Sequence, residues 1–386
     1  MTPRSAHPWA QLALGMLAHV SGTVAATAPT FLIPYFHLDR GLSLVQAGAL
    51  ASASLVGTMS TLVLWGVLVD RLGERLALSA GAGITTGATL TAAFVDSYAA
   101  LAACWLLAGA GVASANSASG RLVVGWFAPQ RRGTAMGVRQ AGMPLGIGLA
   151  ALVVPTTVQA AGLRAALLVL AAACGVALVL CALLVADPPR RPRTEAIEAG
   201  EVRNPYLGDR TLVRVHGASA LLVVPQYTVW TFMLVWLIDE KGWTAAAAGA
   251  LVFAAQLLGA AGRVGVGWWS DLVGSRMRPL RTVALSVAGV MLALGALEAT
   301  PVAVVVVVLA SIVVVAPNGL AFAEVAETAG PWWSGKALGV QNTGQYLVSA
   351  AVPPVVGALV AGSGYAWAFG LVAVCGLLAA PLVPTR

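Results

Sequence analysis

The stretch Gly66-Val-Leu-Val-Asp70-Arg71-Leu-Gly73-Glu74-Arg75 recurs later in the chain as Gly267-Trp-Trp-Ser-Asp271-Leu-Val-Gly274-Ser-Arg276. Gly, Asp, Gly and Arg match at an offset of 201 residues, and each copy directly follows a long apolar segment. We name the two copies the Asp70 motif and the Asp271 motif. A second pair, Gly133-Thr-Ala135-Met-Gly137-Val138-Arg139-Gln140-Ala-Gly142 and Gly335-Lys-Ala337-Leu-Gly339-Val340-Gln341-Asn342-Thr-Gly344, recurs at an offset of 202.

The composition indicates a membrane protein, because the 386 residues are 59% hydrophobic and 10% charged, with a mean hydropathy of +0.86. A bilayer core about 30 Å thick takes about 20 apolar residues per helix. Continuous apolar runs favour helices over barrel strands, which alternate. We therefore predict an all-α membrane protein of twelve transmembrane helices in two pseudo-symmetric six-helix bundles. The predicted spans are Trp9–Phe36, Leu42–Trp65, Leu76–Val95, Tyr98–Val124, Thr134–Ala160, Ala165–Ala186, Leu212–Ile238, Thr244–Trp269, Thr282–Ala299, Val302–Ala323, Lys336–Gly362 and Ala366–Val383.

The repeat order also predicts the domain organisation. We expect an N-terminal six-helix bundle over residues 1–186, a cytoplasmic linker over 187–211 and a C-terminal six-helix bundle over 212–386. The linker is the longest polar stretch, and four prolines interrupt it. A membrane chain with parallel internal repeats is typical of a transporter that binds its substrate between the halves.

The positive charges predict the orientation. Eighteen Lys and Arg residues, including Arg4 and Arg386, fall on one predicted side of the membrane, and Arg40, Arg164 and Lys241 fall on the other. The positive-inside rule therefore predicts a multi-pass protein of the bacterial plasma membrane, or cell inner membrane, with both termini cytoplasmic. The net charge of +7 follows from this bias and does not indicate a nucleic-acid partner.

The chain shows no nucleotide-binding loop, metal motif or hydrolase elbow. We therefore expect no enzymatic activity, no cofactor and no metal. Transport energy would come from a gradient. The expected partners are the lipid bilayer and a small-molecule substrate, with a co-transported proton or an exchanged anion, and we expect a monomer.

With twelve spans and a parallel repeat, the chain resembles the major facilitator superfamily over essentially its whole length. The family signature between spans two and three is matched by Gly66, Leu68, Asp70, Arg71, Gly73, Arg75 and Leu78. Glu74 departs from the signature, which has a base there. Trp105 replaces the arginine that usually begins span four and is linked to proton coupling, and Met143 and Ile147 interrupt the Gly-Pro pattern of drug/proton antiporters.

The Asp70 motif predicts a contact with the other half of the chain. A carboxylate at the membrane edge needs a partner, and a helix N-terminus offers unpaired N–H groups. By the repeat, Asp70 would face the helix that starts near Lys336, and Asp271 the helix that starts near Gly133. The resemblance implies a conformational latch for the outward-open state; the alternative is a turn that only ends the helix. The predicted latch residues are Gly66, Asp70, Arg71, Gly73, Arg75, Gly267, Asp271, Gly274 and Arg276.

Polar residues deep in the spans are the candidate substrate contacts. An arginine inside a span must face a cavity or a partner, so Arg139 is either an anchor for a carboxylate or a structural partner, for example of Glu324. Arg263 either extends to the inner surface or adds a second base to the cavity. Amides in both halves either bind substrate or join helices. The predicted substrate-binding residues are Arg139, Gln140, Asn116, Gln226, Tyr227, Trp230, Gln256, Asn318, Gln341, Asn342, Gln345 and Tyr346.

Few residues in the spans can carry a proton. His19 in span one and Glu324 near the inner end of span ten are the coupling candidates, and His19 is otherwise a packing residue. Uniport, anion exchange and proton symport therefore stay open. The leading hypothesis is a secondary active transporter of a small organic anion, working by alternating access. The alternatives are a multidrug or amphipathic-compound exporter and a transporter-like ligand sensor.

Overall fold

The computed structural model describes residues 7–208 and 210–384, and this part of the chain is helical, with no strand. Arg4, Arg386 and Asp209 lie outside the described residues, as do the outer ends of the two predicted domains. The helices are α1 (Pro8–Phe31), α2 (Leu44–Leu72), α3 (Glu74–Ala92), α4 (Tyr98–Trp126), α5 (Arg132–Gln140), α6 (Gly142–Leu184), α7 (Arg193–Glu198), α8 (Thr211–Asp239), α9 (Ala245–Val273), α10 (Met277–Ala296), α11 (Val302–Val313), α12 (Pro317–Ala329) and α13 (Ser334–Leu382).

Twelve membrane spans follow from these helices. By length and apolar character alone, nine stretches of the described residues can cross a membrane. Two of them are double spans, because Gly162 in α6 and Gly364 in α13 each have a φ of 81° and break the helix. The helix α3, with 19 residues rich in Gly, Ser and Thr, is the remaining span. The predicted all-α fold of twelve transmembrane helices is confirmed.

The two Asp motifs begin inside helices rather than in loops, which differs from the predicted spans. The sequence predicts that span two ends at Trp65, but α2 continues to Leu72. It predicts that span eight ends at Trp269, but α9 continues to Val273. Each helix ends at a glycine with positive φ, 96° at Gly73 and 65° at Gly274, a conformation that favours glycine. Asp70 and Asp271 therefore lie in the last helical turns.

Two predicted spans are interrupted by prolines. Span five breaks between α5 and α6, where Pro144 has no N–H to donate to the carbonyl of Gln140 four residues earlier. Span ten, predicted as one helix, is divided into α11 and α12 immediately before Pro317. Both breaks leave backbone carbonyl groups for side chains to satisfy.

The described residues form two compact units, which exchange short segments of sequence. The first unit is drawn from Met1–Phe127, Ala141–Arg203 and Gly330–Val340. The second is drawn from Ala128–Gln140, Asn204–Ala329 and Gln341–Arg386. Each unit therefore contains one Asp motif together with the helix start that the repeat predicts as its partner. The predicted domain boundaries at 186 and 212 stay a prediction.

The linker is partly structured. It contains α7 and a short 3-10 turn, Pro205–Leu207. In the first unit, Asp187 accepts a hydrogen bond from the backbone N–H of Arg75 at 2.8 Å. Trp333 donates its indole N–H to the carbonyl of Val202 at 2.9 Å. The segment before Asn204 is therefore attached to the Asp70 motif at Arg75 and to the residues just before α13 at Trp333.

Candidate functional site

In the first unit, the carboxylate of Asp70 binds the N-terminal end of α13. Its two oxygens accept hydrogen bonds from the backbone N–H groups of Gly335, at 2.8 Å, and Lys336, at 2.9 Å. Asp70 is 2% exposed. Unpaired N–H groups and the helix dipole make such an end a favourable place for a buried anion.

The second unit repeats this arrangement. The two oxygens of Asp271 accept hydrogen bonds from the backbone N–H groups of Gly133, at 2.9 Å, and Thr134, at 2.8 Å. The hydroxyl of Thr134 adds a third hydrogen bond at 2.7 Å. Both carboxylates therefore have the helix-start partners that the sequence repeat predicts, while their role as a latch stays a prediction.

A guanidinium group completes each contact, but it comes from a different place in each unit. Arg121 of α4 pairs with Asp70 at 2.8 Å and donates to the carbonyl of Pro331 at 2.8 Å. Arg276 pairs with Asp271 at 2.6 Å and donates to the carbonyl of Pro129. Pro129 and Pro331 correspond in the repeat, so the bridge is conserved between the units although its arginine is not.

The glycines that begin the motifs allow two backbones to touch. A Cβ atom on Gly66 would lie 2.3 Å from the carbonyl oxygen of Gly335, and one on Gly267 would lie 2.2 Å from that of Gly133. Real Cβ atoms do not approach oxygen so closely. Glycine is therefore required at Gly66 and Gly267 by packing, not by backbone conformation.

Glu74, which departs from the family signature, is the counter-charge that attaches the linker. Its side chain is fully buried and lies 2.7 Å from Arg190 of the linker and 3.2 Å from Arg121. Arg190 also donates to the carbonyl of Asp70 at 3.0 Å. An acid at position 74 is thus explained by two bases around it, and Arg75 instead donates its side chain to the carbonyl of Ala182 at 2.7 Å.

We predict that Glu74→Gln destabilises the protein by about 3 kcal/mol, because removing one member of a buried ion pair leaves the other charges uncompensated. Thermal unfolding of the purified protein measures the loss. The control is Glu201→Gln, since Glu201 pairs with an Arg191 side chain that is 62% exposed. A surface pair contributes less than about 1 kcal/mol. Equal losses in the two variants would contradict the role of Glu74.

A chain of polar side chains crosses the second unit. Asn318 donates to Gln226 at 2.9 Å, and Gln345 donates to Asn318 at 3.1 Å and to Ser219 at 2.6 Å. Gln341 donates to the same hydroxyl of Ser219 at 2.6 Å. These hydrogen bonds join α8, α12 and α13, so four of the predicted substrate amides lie in one hydrogen-bonded network.

The hydrogen-bonded network of side chains ends at His216, beside the 3-10 turn of the linker. The Nε2 atom of His216 lies 2.9 Å from the hydroxyl of Tyr206, and its Nδ1 atom contacts the Oε1 atom of Gln341. The Oε1 atom of Gln341 can only accept a hydrogen bond, so a neutral His216 accepts through Nε2 from the hydroxyl of Tyr206, whose pKa burial raises to about 12. The Nδ1 atom of His216 then carries the proton and donates to Gln341.

Two buried arginines lie in the same unit. Arg139 is 1% exposed, donates to the side chain of Gln140, and has its Cζ atom 5.6 Å from the ring centroid of Phe322. Arg263 is 4% exposed and donates to the carbonyl of Gln140 at 2.7 Å. Arg263 therefore does not extend to the inner surface, and the alternative of a second buried base holds.

Aromatic side chains surround these charges. The Cζ atom of Arg263 lies 5.9 Å from the ring centroid of Trp230, which packs against Tyr227 at 5.3 Å. Tyr346 is half-buried on α13 in the same unit. A buried surface of guanidinium, indole, phenol and amide groups provides both charge and hydrogen bonds for an organic anion.

The other predicted site residues are distributed more widely. Asn116 and His19 are buried in the first unit, in α4 and α1, and Asn342 is buried in the second unit, in α13. Gln256 is half-buried and makes no hydrogen bond with the described residues. Trp105, at the family's arginine position, is a core residue whose ring lies 5.7 Å from that of Phe36.

Glu324 lies by the Asp271 motif. It accepts a hydrogen bond from Thr328 at 3.1 Å and lines a cleft of about 550 Å³ together with Asp271, Arg276 and Glu327. Within the described residues, no group of three His, Cys, Asp or Glu side chains is arranged to hold a metal ion. The coupling role of Glu324 stays a prediction, as does that of His19.

Sequence reasoning missed His216 and Ser219 and left Arg263 undecided. A signal for the first two was present, because His216, Ser219 and Gln226 are three and seven residues apart and share one face of a helix. Gln341 and Gln345, four residues apart, show the same spacing on α13. Polar residues at helical spacing inside an apolar span indicate a face that turns away from lipid.

A chain of twelve membrane helices, with repeated carboxylate-to-helix contacts and buried polar networks, has the architecture of a secondary transporter. A sequence model of the Major Facilitator Superfamily matches residues 14–353, and the chain belongs to this family. The protein is therefore a multi-pass membrane protein of a family of transporters.

Individual relatives agree with this assignment. The chain is 45% identical over 380 residues to an MFS-type transporter of Mycobacterium tuberculosis (strain CDC 1551 / Oshkosh), covering 98% of this chain and 85% of the relative. It is 23% identical over 269 residues to the hexuronate transporter of Bacillus subtilis (strain 168), covering 67% of this chain and 63% of the relative. The crystal structure of the human organic anion transporter MFSD10 (TETRAN) matches all of both chains with a TM-score of 0.78 and 17% identity, which shows the shared fold.

Proposed function

We propose that the protein is a secondary active transporter that moves a small organic anion by alternating access, with Arg139 as the anchor for the anionic group. The observation that carries the proposal is a buried guanidinium beside Gln140 and Phe322, in the same compact unit as the amide network. A charge inside a membrane helix is costly unless it has a function or a partner. An organic anion transporter and a hexuronate transporter among the similar proteins support an anionic substrate.

The contacts of Asp70 and Asp271 support a latch in this cycle. Each joins a span of one half of the chain to a helix start of the other half, and each would be broken and remade as the protein alternates. We place the protein in the bacterial plasma membrane as a monomer with cytoplasmic termini. Proton symport through His19 or Glu324, anion exchange and uniport are the candidate transport modes.

We expect Arg139→Ala to lower the affinity for carboxylates by at least tenfold, because a charge-assisted hydrogen bond contributes about 1.5–3 kcal/mol. Thermal stabilisation of the purified protein by a panel of small anions, cations and amphipathic drugs measures the affinity. The matched control is Arg164→Ala, which also removes an arginine stacked on a phenylalanine, Phe94 at 4.4 Å, but an exposed one.

Each outcome has a defined meaning. Stabilisation by a carboxylate that is lost in Arg139→Ala and kept in Arg164→Ala supports an organic-anion carrier. Stabilisation only by lipophilic compounds, unchanged in Arg139→Ala, favours the multidrug exporter. Ligand binding without flux in proteoliposomes favours the ligand sensor.

A further inference from the structure

Arg263 is a buried cation without an ion pair among the described residues. Its guanidinium donates through Nη1 to the carbonyl of Gln140 at 2.7 Å and through Nε to the carbonyl of Val315 at 3.3 Å. Neutral carbonyls satisfy its hydrogen bonds but do not neutralise its charge. A full charge in the middle of a membrane helix normally has a counter-ion or a function.

Helix breaks hold this guanidinium in place. The carbonyl of Gln140 is the one that Pro144 leaves without a helical donor, and Val315 lies in the break between α11 and α12. Gly137 permits the close approach, because a Cβ atom there would lie 2.5 Å from the carbonyl oxygen of Arg263. The side chain is thereby oriented without being charge-compensated.

Two hydrogen-bond donors remain at this place. The Nη2 atom of Arg263 makes no hydrogen bond with the described residues. The indole N–H of Trp230 is buried and has no acceptor in the described part of the chain. The Cζ atom of Arg263 lies 5.9 Å from the centroid of the Trp230 ring, so the guanidinium and the indole lie next to each other. A buried N–H without an acceptor, as at Trp230, is costly and indicates a ligand that supplies the acceptor.

We propose that Arg263 and Trp230 form a second anion-binding point beside Arg139, and that the substrate is a dicarboxylate. Both guanidinium groups donate to Gln140, Arg139 to its side chain and Arg263 to its backbone carbonyl, so the two cations lie close together. One carboxylate would bind Arg139, and the other would accept hydrogen bonds from Nη2 of Arg263 and Nε1 of Trp230. This inference rests on the proposed function, and it adds a requirement for two negative charges.

The test compares anions that differ by one carboxylate. Succinate and glutarate are measured against butyrate and valerate, with glucuronate as a hydroxylated monoanion, by isothermal titration of the purified wild-type protein. We expect a dissociation constant at least tenfold lower for a dicarboxylate than for the monocarboxylate of the same chain length. In Arg263→Gln that ratio should fall below about twofold.

Two further variants keep the test decisive if Arg263→Gln does not fold. Arg263→Lys keeps a charge and should retain part of the preference, and Trp230→Phe keeps the ring but loses the N–H and should reduce the preference about threefold. Monocarboxylates or glucuronate that bind wild type as tightly as dicarboxylates overturn this inference but leave the organic-anion function standing. Wild-type protein that binds none of these anions overturns both.

Discussion

Replacement of Asp70 by Asn should slow transport by at least tenfold while anion affinity stays within about threefold of wild type. The carboxylate accepts hydrogen bonds from Gly335 and Lys336 and pairs with Arg121, all in a buried setting. An amide accepts at only one of its two positions and carries no charge. The free energy of unfolding should fall by about 3 kcal/mol, since the substitution breaks a buried ion pair. If this contact stabilises one state of the transport cycle, its loss changes the populations of the states rather than the binding residues.

The measurement pairs proteoliposome flux of the tightest-binding anion with thermal unfolding. The matched control is Asp187→Asn, because Asp187 is exposed and accepts a hydrogen bond from the same segment, at the N–H of Arg75. A surface substitution of this kind changes stability by about 0.5 kcal/mol or less. Wild-type flux and stability in Asp70→Asn would refute the latch.

The second large effect is expected from a single methyl group. Gly267→Ala places a Cβ atom 2.2 Å from the carbonyl oxygen of Gly133, so α5 must move away from α9. Asp271, one helical turn further on, would then lose its short hydrogen bonds to Gly133 and Thr134. We expect a loss of about 2–3 kcal/mol, the range of overpacking in a close-packed interior.

The control lies two residues away on the same helix. A Cβ atom on Gly265 meets nothing within 4 Å, so Gly265→Ala should be neutral or should gain up to about 1 kcal/mol from helix propensity. Thermal unfolding of both variants under identical conditions measures the difference. Equal midpoints would mean that the close approach of the two backbones does not limit stability.

Internal repetition made the fold and the partners of Asp70 and Asp271 predictable. Each half of the chain contains one carboxylate at a helix end and one glycine-rich helix start, which recur at offsets of 201 and 202 residues. This repetition pairs each carboxylate with the helix start of the other half without knowledge of the packing. The spans were predictable because the bilayer sets their length. Their ends were less so, since α2 and α9 continue past the apolar residues to a glycine with positive φ.

The surroundings of Glu74 and Arg263 could not be predicted in the same way. Arg190 is 116 residues from Glu74, and no periodicity relates the two positions. The partners of Arg263 are backbone carbonyls, which every residue possesses, and only the helix breaks select Gln140 and Val315. Contacts between a side chain and a distant backbone leave no compositional pattern, whereas repeated motifs do.

The separation of the two Asp contacts along the chain has a consequence for synthesis on the ribosome. Asp271 follows its partner Gly133 by 138 residues, so the N–H group that donates to it is already made when Asp271 emerges. Asp70 precedes Gly335 by 265 residues and must wait for most of the chain. Because domains fold from the N-terminus during synthesis, a chain interrupted before Gly335 retains ten of its spans but leaves a buried carboxylate without its two backbone donors. The two missing hydrogen bonds distinguish an unfinished protein from a complete one.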